Sequence, residues 1–326
     1  MSQSEQIKEI TEKLEKGIKD LFESDNYKKY LKTMSRFTSY SLNNMLLIAM
    51  QKPDATAVAG YSTWKQLHRQ VKKGEKAIKI IAPCPYRKKV KAEVTDEQGK
   101  SILGTDGKPL MESEEKVVMG FKVVNVFDIS STEGEPLPEI VHQLDGTIEG
   151  YSDFMKALEK FSPVPIELKK VKGAALGYYQ MTNKNIVIEK DLSEVMKCKT
   201  GIHELTHALL HDRDNGLEKD SLPSREVKEI EAESVSYVVC QYYGINSLDY
   251  SFGYIAGWAS DKNLKELKAS METIRQASQI IITGIDRELD SIKKEKHIQM
   301  FNADALLKNN LNGFSAKEKT INTRKM

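Results

Sequence analysis

The chain has 326 residues, more than one compact core usually occupies, so two domains are expected. Hydrophobic residues make up 40% and charged ones 29%, which excludes a disordered or fibrous chain; 49 basic against 47 acidic residues leave only +2, so a charged partner must be met by a local patch. Cys84, Cys198 and Cys240 are too scattered for a disulfide framework, and no stretch approaches a signal-peptide core or the ~18 apolar residues of a membrane span, so a cytoplasmic protein without a membrane partner is expected.

From residue 4 to 51 the apolar positions Ile7, Ile10, Leu14, Ile18, Leu21 and Phe22 recur at helical spacing, which predicts two or three helices. Pro53 and Asp54 break the run, and 61–71 reads as a short helix capped by Ser62 or Thr63 and stopped by Gly74. Residues 77–82 and 116–127 read as strands, with a polar excursion over 95–115 marked by turn signals at Gly99 and Asp106-Gly107. The Ser, Gly and Pro of 130–139 place a linker there, which gives a first domain over 1–129, a second over 140–290 and a helical, frayed tail over 291–326. In the second domain 152–161 is an amphipathic helix and 164–168 is extended. Two strands fill 177–188 around the turn Asn183-Lys184-Asn185, and helices follow over 193–212, 224–243 and 262 to about 306. The fold class is α+β.

The segment His203-Glu204-Leu205-Thr206-His207 lies on the first of those helices. Histidines four apart put both imidazoles on one face, one turn from each other, as two ligands of a tetrahedral Zn2+ require. Glu204 projects beside the metal, where it can take a proton from the water the ion activates, and is the candidate general base. Ile202, Leu205, Ala208, Leu209 and Leu210 make the helix mostly buried, where unpaired polar side chains would be costly without a metal. His211 lies about 12 Å along the axis from His203, too far to join the same ion, and is expected as a helix cap or as a partner of a ligand. The pattern HExxHxxGxxH also fails, with Leu210 at the glycine and Asp212 and Arg213 where its last histidine would stand.

A third ligand is expected from the helix over 224–243, where Glu229 and Glu233 share one face. In a gluzincin arrangement Glu229 binds the metal and Glu233 fixes the tautomer of a ligating histidine; Glu233 is the other candidate ligand. Glu226 and Glu231 read as solvated face. Tyr178 or Tyr179 on the preceding strands is a candidate hydroxyl for a developing oxyanion, and that hairpin is the candidate edge for an extended protein or peptide substrate.

Between residues 61 and 91 stand ten Lys or Arg against Glu75 alone, interleaved with Tyr61, Trp64 and Tyr86. Cations tracking phosphates beside aromatic faces that stack bases describe a surface for single-stranded DNA, to which Lys65, Arg69, Lys72, Lys73 and Lys76 would contribute charge. Upstream, Arg36, Tyr40, Asn43 and Asn44 are candidate polar and stacking contacts.

Tyr40-Ser41-Leu42-Asn43-Asn44, Gly60-Tyr61-Ser62-Thr63-Trp64, and 71–76 followed by a strand and Pro83 resemble the N-terminal single-stranded-DNA-binding domain of ArdC-type antirestriction proteins. Gly177-Tyr178-Tyr179, the strand 186–188, HELTHALLH and the 229–233 helix resemble that family's zincin domain, which is similar to the ImmA and IrrE peptidases. The resemblance covers roughly 5–128 and 140–245. It implies an α+β DNA-binding domain, a zincin-like metallopeptidase domain with an HExxH helix, and C-terminal helices beyond the match, in a protein of a mobile genetic element that binds single-stranded DNA entering by conjugation. It also places Glu229 at the family's third metal ligand. Two other functions fit the residues: a non-catalytic shield for single-stranded DNA with a structural zinc, and a peptidase that cleaves one repressor.

Overall fold

The computed structural model describes residues 3–22, 24–94, 98, 100–104, 107–137, 148–212, 223–245, 255–260 and 262–322. Gly99 and Asp106 of the expected turns, residues 138–139 of the expected linker, the start of the second domain at 140–147, and Arg213 lie outside them. Two compact units emerge, Met1–Thr33 with Tyr40–Leu137, and Met34–Ser39 with Pro138–Met326. Helix and strand are mixed in an α+β fold, and the described elements divide between the units as follows.

The first unit opens with helices α1 (Gln3–Leu21), α2 (Ser24–Arg36), whose last turn from Met34 on belongs to the second unit, and α3 (Leu42–Gln51), the last capped by Ser41, whose hydroxyl accepts from the Asn44 amide. Strands β3 (Ile78–Glu93) and β4 (Met111–Asp128) form a long antiparallel ribbon in register from Ile78↔Val126 to Glu93↔Met111, and β1 (Val58–Ala59) pairs with the far end of β4. This ribbon runs well past the expected 77–82 and 116–127. In its outer part Lys89 stands opposite Glu115 and Arg87 Nη1 lies 3.8 Å from Glu115, a pairing that favours extension.

Where β3 leaves an open edge, α3 closes it with two carboxamides. Asn44 Nδ2 donates to Ile81 O at 2.8 Å while Ile81 N–H donates to Asn44 Oδ1 at 2.9 Å, and Gln51 does the same for Lys79 at 2.8 and 2.9 Å. Each side chain thus substitutes for a neighbouring strand's peptide.

The expected helix over 61–71 is shorter. Helix α4 (Tyr61–Gln66) starts behind Gly60, not Ser62 or Thr63, and ends at Leu67. His68 follows at φ 55, in the left-handed region, and the chain turns into β2 (Arg69–Val71). β2 pairs with β5 (Thr132–Gly134), so part of the expected linker is a strand of the first unit, with Ser131 and Thr132 buried. Turn-forming composition conceals it, because a strand of this length carries too little pattern to read.

Trp64 on α4 is 1% exposed and its indole N–H donates to Phe127 O at 2.9 Å. Trp64→Ala should therefore lower the stability of this unit by about 3–5 kcal/mol, with the midpoint of chemical denaturation as the measurement. A change within a few tenths of wild type would show that the ring is not part of the core.

In the second unit, β8 (Asn185–Glu189) is central, parallel to β6 (Ile166–Lys169) and antiparallel to β7 (Gly177–Gln180), in the order β6-β8-β7. Lys184 takes φ 50 in the β7–β8 turn. Helix α6 (Glu194–Leu210) packs on β7, β8, α5 (Ile148–Phe161) and α7 (Arg225–Tyr242). Ser193 and Ser224 cap α6 and α7 through their hydroxyls. The short α8 (Ile255–Ser260) has no counterpart in the sequence reading, and α9 (Leu264–Asn322) continues past the expected end near 306 because nothing in that stretch is a proline. Its buried face, Leu267, Met271, Ile274, Ile281 and Ile285 among others, packs with α5 and α7.

Candidate metal centre and nucleic-acid surface

Ile202, Leu205 and Ala208 bury one side of α6, and the next side carries His203, Glu204 and His207 toward α7 and β7. His203 Nε2 and His207 Nε2 stand 3.1 Å apart. Glu229 Oε2, from the second turn of α7, lies 3.5 Å from the first nitrogen and 3.8 Å from the second. Ligands bonded at about 2.1 Å to a tetrahedral ion are about 3.4 Å from one another, so this triangle has the size that an ion of zinc's radius requires. Among the described residues this is the group of His, Cys, Asp and Glu whose ligand atoms can share a metal.

Each imidazole also has its second nitrogen engaged. His203 Nδ1 lies 3.4 Å from Glu233 Oε2, and Glu233 Oε1 lies 3.3 Å from Lys199 Nζ, so Glu233 sits behind the histidine and not in the triangle. His207 Nδ1 is 2.9 Å from His211 Nδ1. Burial disfavours the protonated form of His203, yet Glu229 and Glu233 outweigh it and raise its pKa to about 9. Hydrogen bonds from His203 and then His207 hold Glu229 far below the usual carboxylate range. In the metal-free chain this balance favours a proton between imidazole and carboxylate, at the place a divalent ion would take.

Glu204 is 8% exposed, and burial pushes its pKa up against the opposing pull of His203, His207 and a backbone hydrogen bond. That bond comes from the Tyr179 N–H, which donates to Glu204 Oε2 at 2.8 Å. β7 approaches α6 this closely because residue 177 is glycine; a Cβ there would stand 2.7 Å from Thr200 Cγ2 and 2.8 Å from Val187 O. Positions 177 and 179 share that face of β7, so Tyr178 points to the other side and is 43% exposed. Alternation turns the Tyr178 ring away from α6. The Tyr179 hydroxyl donates to Asp212, which also receives Lys184 Nζ at 2.7 Å.

Glu226 is exposed, as expected, but Glu231 is not a solvated residue. It is 5% exposed, with Oε2 3.1 Å from His211 Nε2 and Oε1 accepting from the Ser270 hydroxyl at 2.9 Å. Position along α7 assigns Glu231 to the wrong face, because α9 covers a side of α7 that an isolated helix would leave in water. Burial lowers the His211 pKa against the pull of Glu231.

In the first unit the residues singled out for nucleic acid separate into two groups. Trp64 is in the core and cannot stack a base. Asn44 is committed to Ile81, the Tyr40 hydroxyl donates to Val58 O at 3.1 Å, and Arg69 donates to Thr132 Oγ1 at 2.8 Å and to Gly134 O at 3.1 Å. Lys72 Nζ donates to Ser130 O at 3.1 Å, and Arg36 falls in the second unit. Lys72 stays exposed despite that bond, as do Asn43, Lys65, Lys73 and Lys76, with Tyr61 at 56% exposure. Tyr61, Lys65, His68 and Gln70 line a cleft of about 540 Å³. The cationic run at 87–91 contributes less than its composition implies, since Glu115 faces Arg87 and Lys89 across the ribbon.

Comparison with known proteins adds independent findings. Residues 2–127 match the family described as the N-terminal domain of anti-restriction factor ArdC, and residues 161–275 match peptidase family M78, described as an IrrE N-terminal-like domain. An uncharacterized protein of Bacillus anthracis is 28% identical over 323 residues, an overlap of 90% of this chain and 53% of the relative, so the chain spans about half the length of the curated relative it matches. Among solved structures, the antirestriction protein ArdC from plasmid R388 in its metal-free form is 23% identical, covering 77% of this chain and 84% of that one with a TM-score of 0.44. Its Mn(II)-bound structure gives 18% identity, the same 77% and 84% coverage and a TM-score of 0.43. No described helix is long and apolar enough to cross a membrane.

Proposed function

We propose, on the premise that this is an ArdC-type protein carrying both the ArdC N-terminal domain and an IrrE-like domain, that the chain is an antirestriction-type, metal-dependent peptidase that holds single-stranded DNA. The observation that carries the enzymatic part is the triangle of His203 Nε2, His207 Nε2 and Glu229 Oε2 with the buried Glu204 on the same helix. Three protein ligands leave one position of a tetrahedral site open, which separates a catalytic site from a closed structural one. A divalent ion bound there supplies Lewis-acid polarisation and makes water acidic enough to ionise near neutral pH. The protein's own share is distributed among named groups. Glu204 accepts the proton, the Tyr179 amide fixes the carboxylate that does so, and Glu233 orients His203. Zinc suits this nitrogen and oxygen donor set, and Mn2+ is the comparison to run beside it.

The decisive experiment strips the purified chain of metal, restores zinc or manganese, and follows cleavage of a mixed peptide library by mass spectrometry. Metal-dependent cleavage that disappears in His203→Ala and His207→Ala is expected. Cleavage indifferent to metal or to both substitutions would remove the reading.

Lys65 beside the exposed ring of Tyr61, together with exposed Lys73 and Lys76, supports the DNA part, with charge for phosphates and a face for one base. Replacing the three lysines with Gln should weaken binding of an oligo-dT strand and make the slope of log affinity on log salt shallower by about 2, at roughly 0.7 for each phosphate no longer neutralised. Fluorescence anisotropy across a salt series measures both. An unchanged slope would place the strand elsewhere.

A further inference from the structure

The two imidazoles facing the candidate ion are held by different devices. His203 meets a carboxylate directly, with Nδ1 3.4 Å from Glu233 Oε2. Behind His207 a longer chain runs through three helices: His207 Nδ1 to His211 Nδ1 at 2.9 Å, His211 Nε2 to Glu231 Oε2 at 3.1 Å, and Ser270 Oγ to Glu231 Oε1 at 2.9 Å. His211 is the C-terminal cap of α6, Glu231 lies on α7 and Ser270 on α9. All three are buried, at 3%, 5% and 7% exposure. The metal-site reading uses none of them.

We propose that His211, Glu231 and Ser270 form a buried positioning chain that sets which nitrogen of His207 is free for the metal. The inference rests on the metal-site reading above. Glu231 as a carboxylate only accepts, so one oxygen takes the Ser270 O–H and the other requires a hydrogen on His211 Nε2. A neutral His211 with its hydrogen there presents a bare lone pair at Nδ1. With an ion bound, His207 would then donate from its own Nδ1, leaving its Nε2, which stands between His203 Nε2 and Glu229 Oε2, as the lone pair that holds the metal. The opposite assignment puts an unprotonated His211 Nε2 against a carboxylate oxygen inside the protein, two acceptors facing each other without water. The carboxylate on α7 therefore dictates the tautomer of a histidine that it does not touch, and α9 contributes by holding that carboxylate. His207 and Glu231 are thereby coupled, so packing of the C-terminal helix and competence of the metal site become one property.

His211→Phe keeps the ring and removes both nitrogens. Zinc affinity, measured by competition with a chromogenic chelator, is expected to fall about 10- to 100-fold, and the visible spectrum of the Co(II)-substituted protein to shift. His211→Asn returns an acceptor oxygen at the Nδ1 position and is expected to recover part of that loss, which packing alone would not do. Should the Phe variant fail to fold, the wild-type zinc protein still decides the matter. Long-range proton–nitrogen NMR correlations should show His207 protonated at Nδ1 and His211 at Nε2. Wild-type zinc affinity in the Phe variant, or His211 protonated at Nδ1, overturns the chain while leaving the metal site intact. Failure of the wild type itself to take up zinc overturns the metal-site reading, and this inference with it.

Discussion

Glu204→Gln is expected to lower peptide cleavage by roughly 10²- to 10⁴-fold, the usual range for loss of a positioned general base, with zinc content and affinity for single-stranded DNA close to wild type. The separation of effects follows from the geometry. Glu204 contributes nothing to the triangle of His203, His207 and Glu229, so the donor set survives the change. A Gln side chain retains an oxygen for the Tyr179 N–H, which in the wild type reaches Glu204 Oε2 at 2.8 Å, so β7 has no reason to move. Stability should respond in the opposite direction from activity. Burial raises the Glu204 pKa above its unfolded value, so its contribution favours folding at low pH and is lost as pH rises through the folded value. Above the ordinary carboxylate range the burial of Glu204 therefore weighs on the fold, and a neutral amide relieves it. The metal-free Gln variant should therefore melt at or above the temperature of wild type. Retained turnover would remove Glu204 as the base, and a lower melting temperature with lost zinc would make it a structural residue.

That such a residue is visible in the sequence, while others are not, has a physical basis. His203, Glu204 and His207 are legible because a helix fixes which side chains share a face, and α6 is bounded by Ser193 and a buried apolar stripe. That Glu229 and Glu233 share one face is legible for the same reason, and the distances place Glu229 toward the imidazole Nε2 atoms and Glu233 at His203 Nδ1. Glu231 escapes because its environment is made by α9, and helical phase cannot tell which other helix will cover a given face. Tyr178 and Tyr179 look equivalent as neighbours in a strand, and only the register of β7 against α6 separates them. Composition misleads most in the first unit. Trp64 and Asn44 have the chemistry of a nucleic-acid surface, but a tryptophan fills a core as readily as it stacks a base, and a carboxamide closes a strand edge as readily as it reads one. Part of the expected linker is strand, since Thr132 to Gly134 look like loop residues until β2 is found to pair with them.

Zinc uptake should depend steeply on pH, because His203 holds a proton at the place the ion must enter. In the metal-free protein burial works against the protonated imidazole, but Glu229 at 3.5 Å and Glu233 at 3.4 Å prevail and raise the pKa to about 9. Only the deprotonated ring is a ligand, so binding below that pH must expel the proton. Apparent affinity is expected to rise about tenfold per pH unit from roughly 6.5 toward 9 and then to level off, with close to one proton released per ion in the lower range. The sign for the metal-free fold is the reverse. A folded pKa above the ordinary histidine value of about 6.5 contributes stability that is complete below 6.5 and disappears as pH passes through about 9. Melting temperature without metal should thus decline over that interval while the shift produced by zinc grows. Calorimetric titration in buffers of different ionisation enthalpy counts the protons, and melting curves with and without zinc follow the rest. His203→Ala abolishes both pH effects if the assignment is right. Affinity that stays flat between pH 6.5 and 9 would mean that His203 carries no such proton, and the pairing of Glu229 with both imidazoles would lose its role in holding the metal-free site together.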